Sequence, residues 1–75
     1  MSDKLPSVKP RELMRVLERA GWERRRTRGS HHYFVHPDKR DAIPVPAHNR
    51  DMKPGLLLAI IKTAGLSREE FRRLL

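Results

Sequence analysis

The fold is decided by one stretch of the sequence, RGSHHYFVHPD at residues 28–38. Its Gly-Ser pair predicts a hairpin turn, and residues 31–36, which are rich in aromatic and β-branched side chains, predict the strand that returns from it. Pro37 suits the first central position of a second turn, which ends this strand. Residues 22–27, before the first turn, therefore predict the opposing strand of an antiparallel hairpin.

A third strand is predicted at residues 42–45, just after the second turn, with Ile43 and Val45 on one face. Pro44 cannot donate a hydrogen bond to a neighbouring strand, so we expect this strand at an edge of the sheet with Pro44 pointing outward. Because the connections are short, the three strands predict an antiparallel meander.

Helical patterns flank the predicted strands. Pro10 opens the first helix, which Gly21 ends, and Pro54 opens the second. Ser67 and Glu70 fit a capping box that begins a short third helix. The predicted buried positions are Leu13, Val16, Leu17 and Ala20 in the first helix, Leu57, Ile60, Ile61 and Ala64 in the second, Phe71 and Leu74 in the third, and Trp22.

This order predicts an α+β fold of the form α-β-β-β-α(-α), with two helices packed on one face of a three-stranded antiparallel sheet. The other face of the sheet is left open, and it can be polar without any loss of buried apolar area. A chain of 75 residues has room for one domain, so we expect a single domain over residues 1–75 with residues 1–8 as a flexible lead-in.

The chain is strongly basic, with 17 Lys and Arg against 9 Asp and Glu and a net charge of +8. Four arginines fall within five residues: Arg24, Arg25, Arg26 and Arg28. This concentration favours a phosphate-binding surface over a merely solvated face. The sequence has no cysteine, no signal-peptide core and no apolar run near the roughly 18 residues of a membrane span, so we expect a cytoplasmic protein without a membrane partner.

Several motifs occur in an order that is more specific than any one of them. They are Ala20-Gly21-Trp22, Arg28 to Phe34, His36-Pro37-Asp38, Val45-Pro46-Ala47-His48, Lys53-Pro54-Gly55 and Ala64 to Phe71. Together they resemble the HicA family of toxin–antitoxin ribonucleases over residues 9–75. The resemblance implies a fold like that of double-stranded RNA-binding domains, cleavage of mRNA, and a HicB-type antitoxin as partner.

The resemblance also assigns the catalytic role to the histidine that follows the Gly-Ser turn, which is His31. One departure concerns the second helix. Family members usually carry a polar residue after its Pro-Gly pair, and often a basic residue two positions later. Here these positions are Leu56 and Leu58, so any contact that they make to RNA or antitoxin in relatives is in question.

The chemistry expected of such a site is self-cleavage of RNA assisted by an imidazole, because histidine takes and gives protons near neutral pH. We expect His31 to act as general base or acid while cations and backbone amides hold the phosphate. The predicted RNA-binding residues are Arg24, Arg26, Arg28, Gly29 and Ser30. The products would be a 2′,3′-cyclic phosphate and a 5′-hydroxyl, formed without a metal or other cofactor.

Successive side chains of a strand point to opposite faces of the sheet, and this limits which residues near His31 can contact RNA. His31 and His32 must point to opposite faces, so at most one faces RNA, and His32 is expected to be structural or a rim contact. One of Tyr33 and Phe34 belongs to the core. His48 either assists catalysis or caps the following helix. Because adjacent strand histidines diverge and no Glu or Cys stands at a ligand-like spacing, no metal site is expected.

Two other classes of function remain open from the residues. A non-catalytic RNA-binding module would use the same basic face to grip backbone and 2′-hydroxyl groups, but it would not need His31. A DNA-binding domain is disfavoured because the second helix is too apolar to enter a groove. A protein-binding role fits an acidic antitoxin, as an inhibitor of the enzyme rather than as an alternative to it.

Overall fold

The computed structural model describes residues 5–75 of the chain. Its elements are α1 (Pro10–Arg19), β1 (Glu23–Arg28), β2 (His31–Val35), β3 (Ile43–Pro46), α2 (Pro54–Thr63) and α3 (Arg68–Leu74). The strands form one antiparallel sheet in the order β1-β2-β3. The predicted α+β fold and its α-β-β-β-α(-α) order are confirmed, and each strand begins and ends within one residue of its predicted bounds.

One face of the sheet, here called the helix face, carries Phe34, Ile43 and Val45, which are almost completely buried. These three side chains join the apolar faces of the helices in a single core, which is what stabilises a domain of this size. Pro44 and Pro46 alternate with them on β3 and point to the opposite, open face. Since β3 pairs only with β2, the predicted edge position is confirmed.

The end of α1 shows why the chain turns sharply into β1. Gly21 adopts a left-handed φ of +96°. Its N–H donates to Glu18 O at 3.1 Å, and the Trp22 N–H donates to Leu17 O at 2.9 Å, which is a Schellman cap. A Cβ on Gly21 would also lie 3.0 Å from His36 Nε2. Trp22 is thereby turned back onto the helix and buried, as expected.

The third helix begins with the predicted capping box. The Glu70 N–H donates to Ser67 Oγ at 3.0 Å, and the Ser67 N–H donates to Glu70 Oε1 at 2.9 Å. Phe71 of this helix is fully buried. At its other end, Arg19 Nη1 donates to Leu74 O at 2.5 Å, so the end of α1 holds the end of α3.

The lead-in expected at residues 1–8 falls partly outside the described residues, which begin at residue 5. Val8 is only 1% exposed and belongs to the core. Its carbonyl accepts a hydrogen bond of 2.7 Å from the Met52 N–H. Lys9 Nζ also lies 3.6 Å from Asp51 Oδ1. Val8 is therefore part of the packed domain rather than of a flexible segment, because the loop before α2 holds it.

The second helix is apolar over most of its surface. Leu57, Ile60 and Ile61 are buried as predicted, whereas Leu56 and Leu58 are 43% and 38% exposed. The helix has 10 residues. Within residues 5–75, no helix combines the length and the apolar character needed to cross a bilayer.

Candidate nucleic-acid interface

The turn between β1 and β2 places the predicted catalytic residue. Arg28 and His31 pair across the hairpin, so the loop consists of Gly29 and Ser30 alone. Gly29 has a φ of +59° while Ser30 does not have a positive φ, which is the pattern of a type II′ turn. The Ala47 N–H donates to Ser30 O at 2.6 Å, so the residue after β3 holds the turn in place.

His31 is exposed and stands at the first position of β2. Its neighbours across the sheet are Arg28 on β1 and Pro46 on β3. Nδ1 of the ring lies 3.5 Å from Ser30 Oγ, which is too long for a strong hydrogen bond. No other residue between 5 and 75 hydrogen-bonds to this ring, so the imidazole is available to a substrate.

The backbone of the turn adds hydrogen-bond donors beside the ring. Among residues 5–75, no acceptor pairs with the N–H of Gly29 or of Ser30. Both residues are exposed. Amides of this kind, next to cationic side chains, can hold a phosphate oxygen. The structure therefore brings the predicted Gly29 and Ser30 donors together with His31.

The open face of the sheet carries the side chains of β2 that alternate with Phe34. Cross-strand partners share a face, so His31 lies beside Arg28, and Tyr33 lies beside Arg26. The Arg26 guanidinium carbon is 5.7 Å from the centroid of the Tyr33 ring, a cation–π contact. An imidazole, an aromatic ring and two guanidinium groups thus occupy one continuous surface.

Arg24 is not part of this surface. It pairs with Phe34, while Arg26 pairs with Tyr33, so Arg25 is an extra residue in β1 and forms a β-bulge. In a regular strand, Arg24 and Arg26 would share a face. The bulge moves Arg24 to the helix face, away from the arginines with which the sequence pattern grouped it.

Arg25 takes a place on the open face instead. Its Nη2 lies 3.4 Å from Glu23 Oε1, and Glu23 pairs with Val35. These three residues line a shallow concavity of about 660 Å³ at the end of the sheet far from His31. Arg25 was not among the RNA-binding residues predicted from the sequence, because three consecutive arginines carry no signal of which one forms the bulge.

The sequence matches the model of a known protein family. The model of the HicA toxins of bacterial toxin–antitoxin systems matches residues 10–66, which is more than half of the chain. The chain belongs to the HicA family. The matched segment includes α1, the whole sheet and α2, and therefore the turn with His31. A search of the curated proteins finds no match.

The second histidine of the pair in this HicA protein has a different environment. His32 pairs with Val45 and so lies on the helix face, which confirms that the two histidines point in opposite directions. It is half-buried, and its Nδ1 lies 2.9 Å from Thr27 Oγ1. These contacts indicate a structural role for His32.

His36 shapes the turn after β2. Its ring packs on Trp22, with the ring centroids 5.3 Å apart, and its Nδ1 accepts a hydrogen bond of 3.0 Å from the Asp38 N–H. The local backbone hydrogen bond of this turn is therefore made by the histidine ring, which also packs on the indole.

His48 of the HicA chain closes a turn of its own, in which its Nδ1 accepts a hydrogen bond of 3.1 Å from the Arg50 N–H. The N-cap of α2 is Lys53, whose side chain makes no capping hydrogen bond. His48 therefore does not cap this helix. In the part of the chain that is described, no three His, Asp or Glu side chains are grouped as ligands for a metal ion.

Proposed function

We propose that this HicA protein is the toxin of a type II toxin–antitoxin system and a metal-independent endoribonuclease that cleaves mRNA on its open face. The observation that carries the proposal is the position of His31. An exposed imidazole with an unoccupied Nε2 stands beside Arg28 and beside two unpaired amides, at the edge of a basic surface. This is an arrangement that can hold a phosphodiester and move a proton at the same place.

The proposed reaction uses the 2′-hydroxyl of the substrate as nucleophile. His31 removes its proton, the 2′-oxygen forms a bond to phosphorus, and the bond from phosphorus to the 5′-oxygen breaks. The protonated imidazole returns the proton to the leaving 5′-oxygen. The products are a 2′,3′-cyclic phosphate and a 5′-hydroxyl, so the reaction needs no outside water or redox partner.

Charge around the phosphate is the second part of the proposal. Arg28 neutralises the oxygens that become more negative in the transition state, and the Gly29 and Ser30 amides donate to them. Arg26 binds the neighbouring phosphate. Arg24 keeps at most a long-range role, because its partner in the sheet is Phe34 on the helix face.

The proposed partner is a HicB-type antitoxin that covers His31 and the open face. Family membership supports a toxin–antitoxin partner. A surface with so many arginines is complementary to an acidic protein, and one inhibitor seated there would block both substrate binding and proton transfer. A complex in which His31 stays open to solvent would contradict this mode of inhibition.

The decisive experiment compares purified wild type with His31→Ala on a labelled mRNA in EDTA, with binding measured for both. We expect wild type to cut and to leave a cyclic phosphate, while the variant binds but cuts at least roughly 10²-fold more slowly. His32→Ala is the matched control, and it should still cut because His32 lies on the helix face.

The same experiment tests the alternative, a non-catalytic RNA-binding module. That reading is supported if wild type and His31→Ala bind RNA equally and neither cuts it. Cleavage that disappears in EDTA would instead contradict a mechanism that relies on the imidazole alone.

A further inference from the structure

Tyr33 is an aromatic side chain that the core does not use. Trp22, Phe34 and Phe71 are each no more than 3% exposed, and all three pack in the core. Tyr33 is half-buried and lies on the open face, opposite Arg26 and two residues from His31. An aromatic ring among arginines is the combination that single-stranded nucleic acids bind, because bases stack on the ring while the cations follow the backbone.

The position of the ring relative to the proposed scissile phosphate is fixed by the strand. His31 and Tyr33 are two residues apart on β2 and so share a face, with their Cα atoms about 6.6 Å apart at the usual strand rise. This separation suits a phosphate at the imidazole and the base of an adjoining nucleotide at the phenol ring.

Arg26 holds the ring from the β1 side. Its guanidinium carbon lies 5.7 Å from the ring centroid. This contact flanks the ring on the β1 side, and Pro44 is the neighbour of Tyr33 on β3. A base would therefore stack on the part of the half-buried ring that stays exposed to solvent. Tyr33 and Arg26 are opposite each other in the register that the two-residue turn sets, and the bulge at Arg25 changes the pairing only beyond them.

We propose that Tyr33, held by Arg26, is a nucleobase-stacking subsite that binds an unpaired base next to the phosphate at His31. The inference rests on the proposed function, since it assumes that RNA lies on the open face. A base inside a duplex is already stacked on its neighbours, so the subsite selects unpaired strands. Stacking is tolerant of base identity, so it selects strand state rather than sequence.

Binding is measured in a His31→Ala background, so that the RNA stays intact. The probes are a short single-stranded oligoribonucleotide, the same strand annealed to its complement, and an abasic backbone of equal length and charge. The variants are Tyr33→Phe and Tyr33→Leu, each compared with the His31→Ala parent for thermal unfolding and for affinity over a range of salt.

We expect Tyr33→Leu to lower affinity for the single strand roughly 5- to 150-fold, the effect of losing one base–aromatic stack, without changing the salt dependence. Tyr33→Phe should bind like the parent. The abasic backbone should bind the parent and Tyr33→Leu equally, and the duplex should be insensitive to the substitution.

Three results would overturn the subsite. One is unchanged affinity of Tyr33→Leu for the single strand. Another is an equal loss on the abasic backbone, which would show that the ring acts only by holding Arg26. The third is complete absence of RNA binding by the parent, which would overturn the proposed function as well, whereas the first two would leave it standing.

Discussion

Thr27 Oγ1 lies 2.9 Å from His32 Nδ1 across the β1–β2 hairpin, on the sheet face opposite to His31. Two histidines that are adjacent in the chain therefore have unrelated environments. One is exposed and open to a substrate, while the other is half-buried and has a partner. This separation allows the structural and the proposed catalytic role to be tested independently.

The first prediction concerns this pair. Thr27→Val keeps the shape of the side chain and removes the hydroxyl, so His32 loses its partner, and we expect the free energy of unfolding to fall by about 0.5–1 kcal/mol. Cleavage by the folded variant should be unchanged. Denaturant unfolding of Thr27→Val, His32→Ala and the double variant measures the coupling. Strictly additive losses would show that the contact contributes nothing.

The second prediction compares two arginines that differ in face but not in charge. Arg28→Gln should reduce the slope of log affinity against log salt by about 0.7 on single-stranded RNA, because one phosphate contact is lost. Arg24→Gln removes the same charge from the helix face and should leave the slope unchanged. Equal effects of both substitutions would restore the grouping of Arg24 with Arg28 that the sequence pattern suggested.

The third prediction uses two glycines that both have space for a Cβ. Gly29 has a φ of +59°, so Gly29→Ala should lower the free energy of unfolding by roughly 1–2 kcal/mol and slow cleavage through displacement of His31. Gly55 lies in α2 without a positive φ, so Gly55→Ala should raise stability by up to about 1 kcal/mol. A Gly29→Ala variant as stable and active as wild type would contradict the assigned turn.

The fourth prediction is a pH dependence. Hydrogen bonds from the Ser67 backbone N–H, and then from its hydroxyl, lower the pKa of Glu70 below its ordinary value. The ionised carboxylate therefore stabilises the folded state above the ordinary pKa of a glutamate, and this stabilisation is lost as the pH falls through the lower, folded pKa.

Glu70→Gln removes the charge but can keep the cap, so it tests the charge alone. The variant should be less stable than wild type at neutral pH, and the difference should shrink in acid. Unfolding curves measured from neutral to acidic pH check this. A difference that stays constant with pH would mean that the ionisation of Glu70 does not matter.

Elements with local signals could be predicted from the sequence. The left-handed cap at Gly21, the capping box at Ser67 and the outward Pro44 each follow from one residue type at one position, and the structure confirms them. The position of His31 after the turn was predicted for the same reason. Its role as a catalyst stays a prediction.

Features that depend on distant contacts could not be predicted. The bulge at Arg25 depends on how both ends of β1 pair with β2, and three identical side chains carry no signal of it. The burial of Val8 depends on Met52, far away in the chain. The turn hydrogen bond of His36 depends on packing against Trp22.

The prolines of β3 have a consequence for self-association. Along a strand, the backbone N–H groups of alternate residues point to the same neighbouring strand. Those of Ile43 and Val45 point to β2. At Pro44 and Pro46 the backbone faces the outer edge of the sheet, where proline has no N–H to donate. A strand of a second chain therefore could not form a continuous series of backbone hydrogen bonds along the outer edge of β3. The remaining edge is β1, where the arginines of two copies would repel each other, so the sheet resists edge-to-edge aggregation. A strand that extends this sheet must come from a partner of opposite charge and must join along β1.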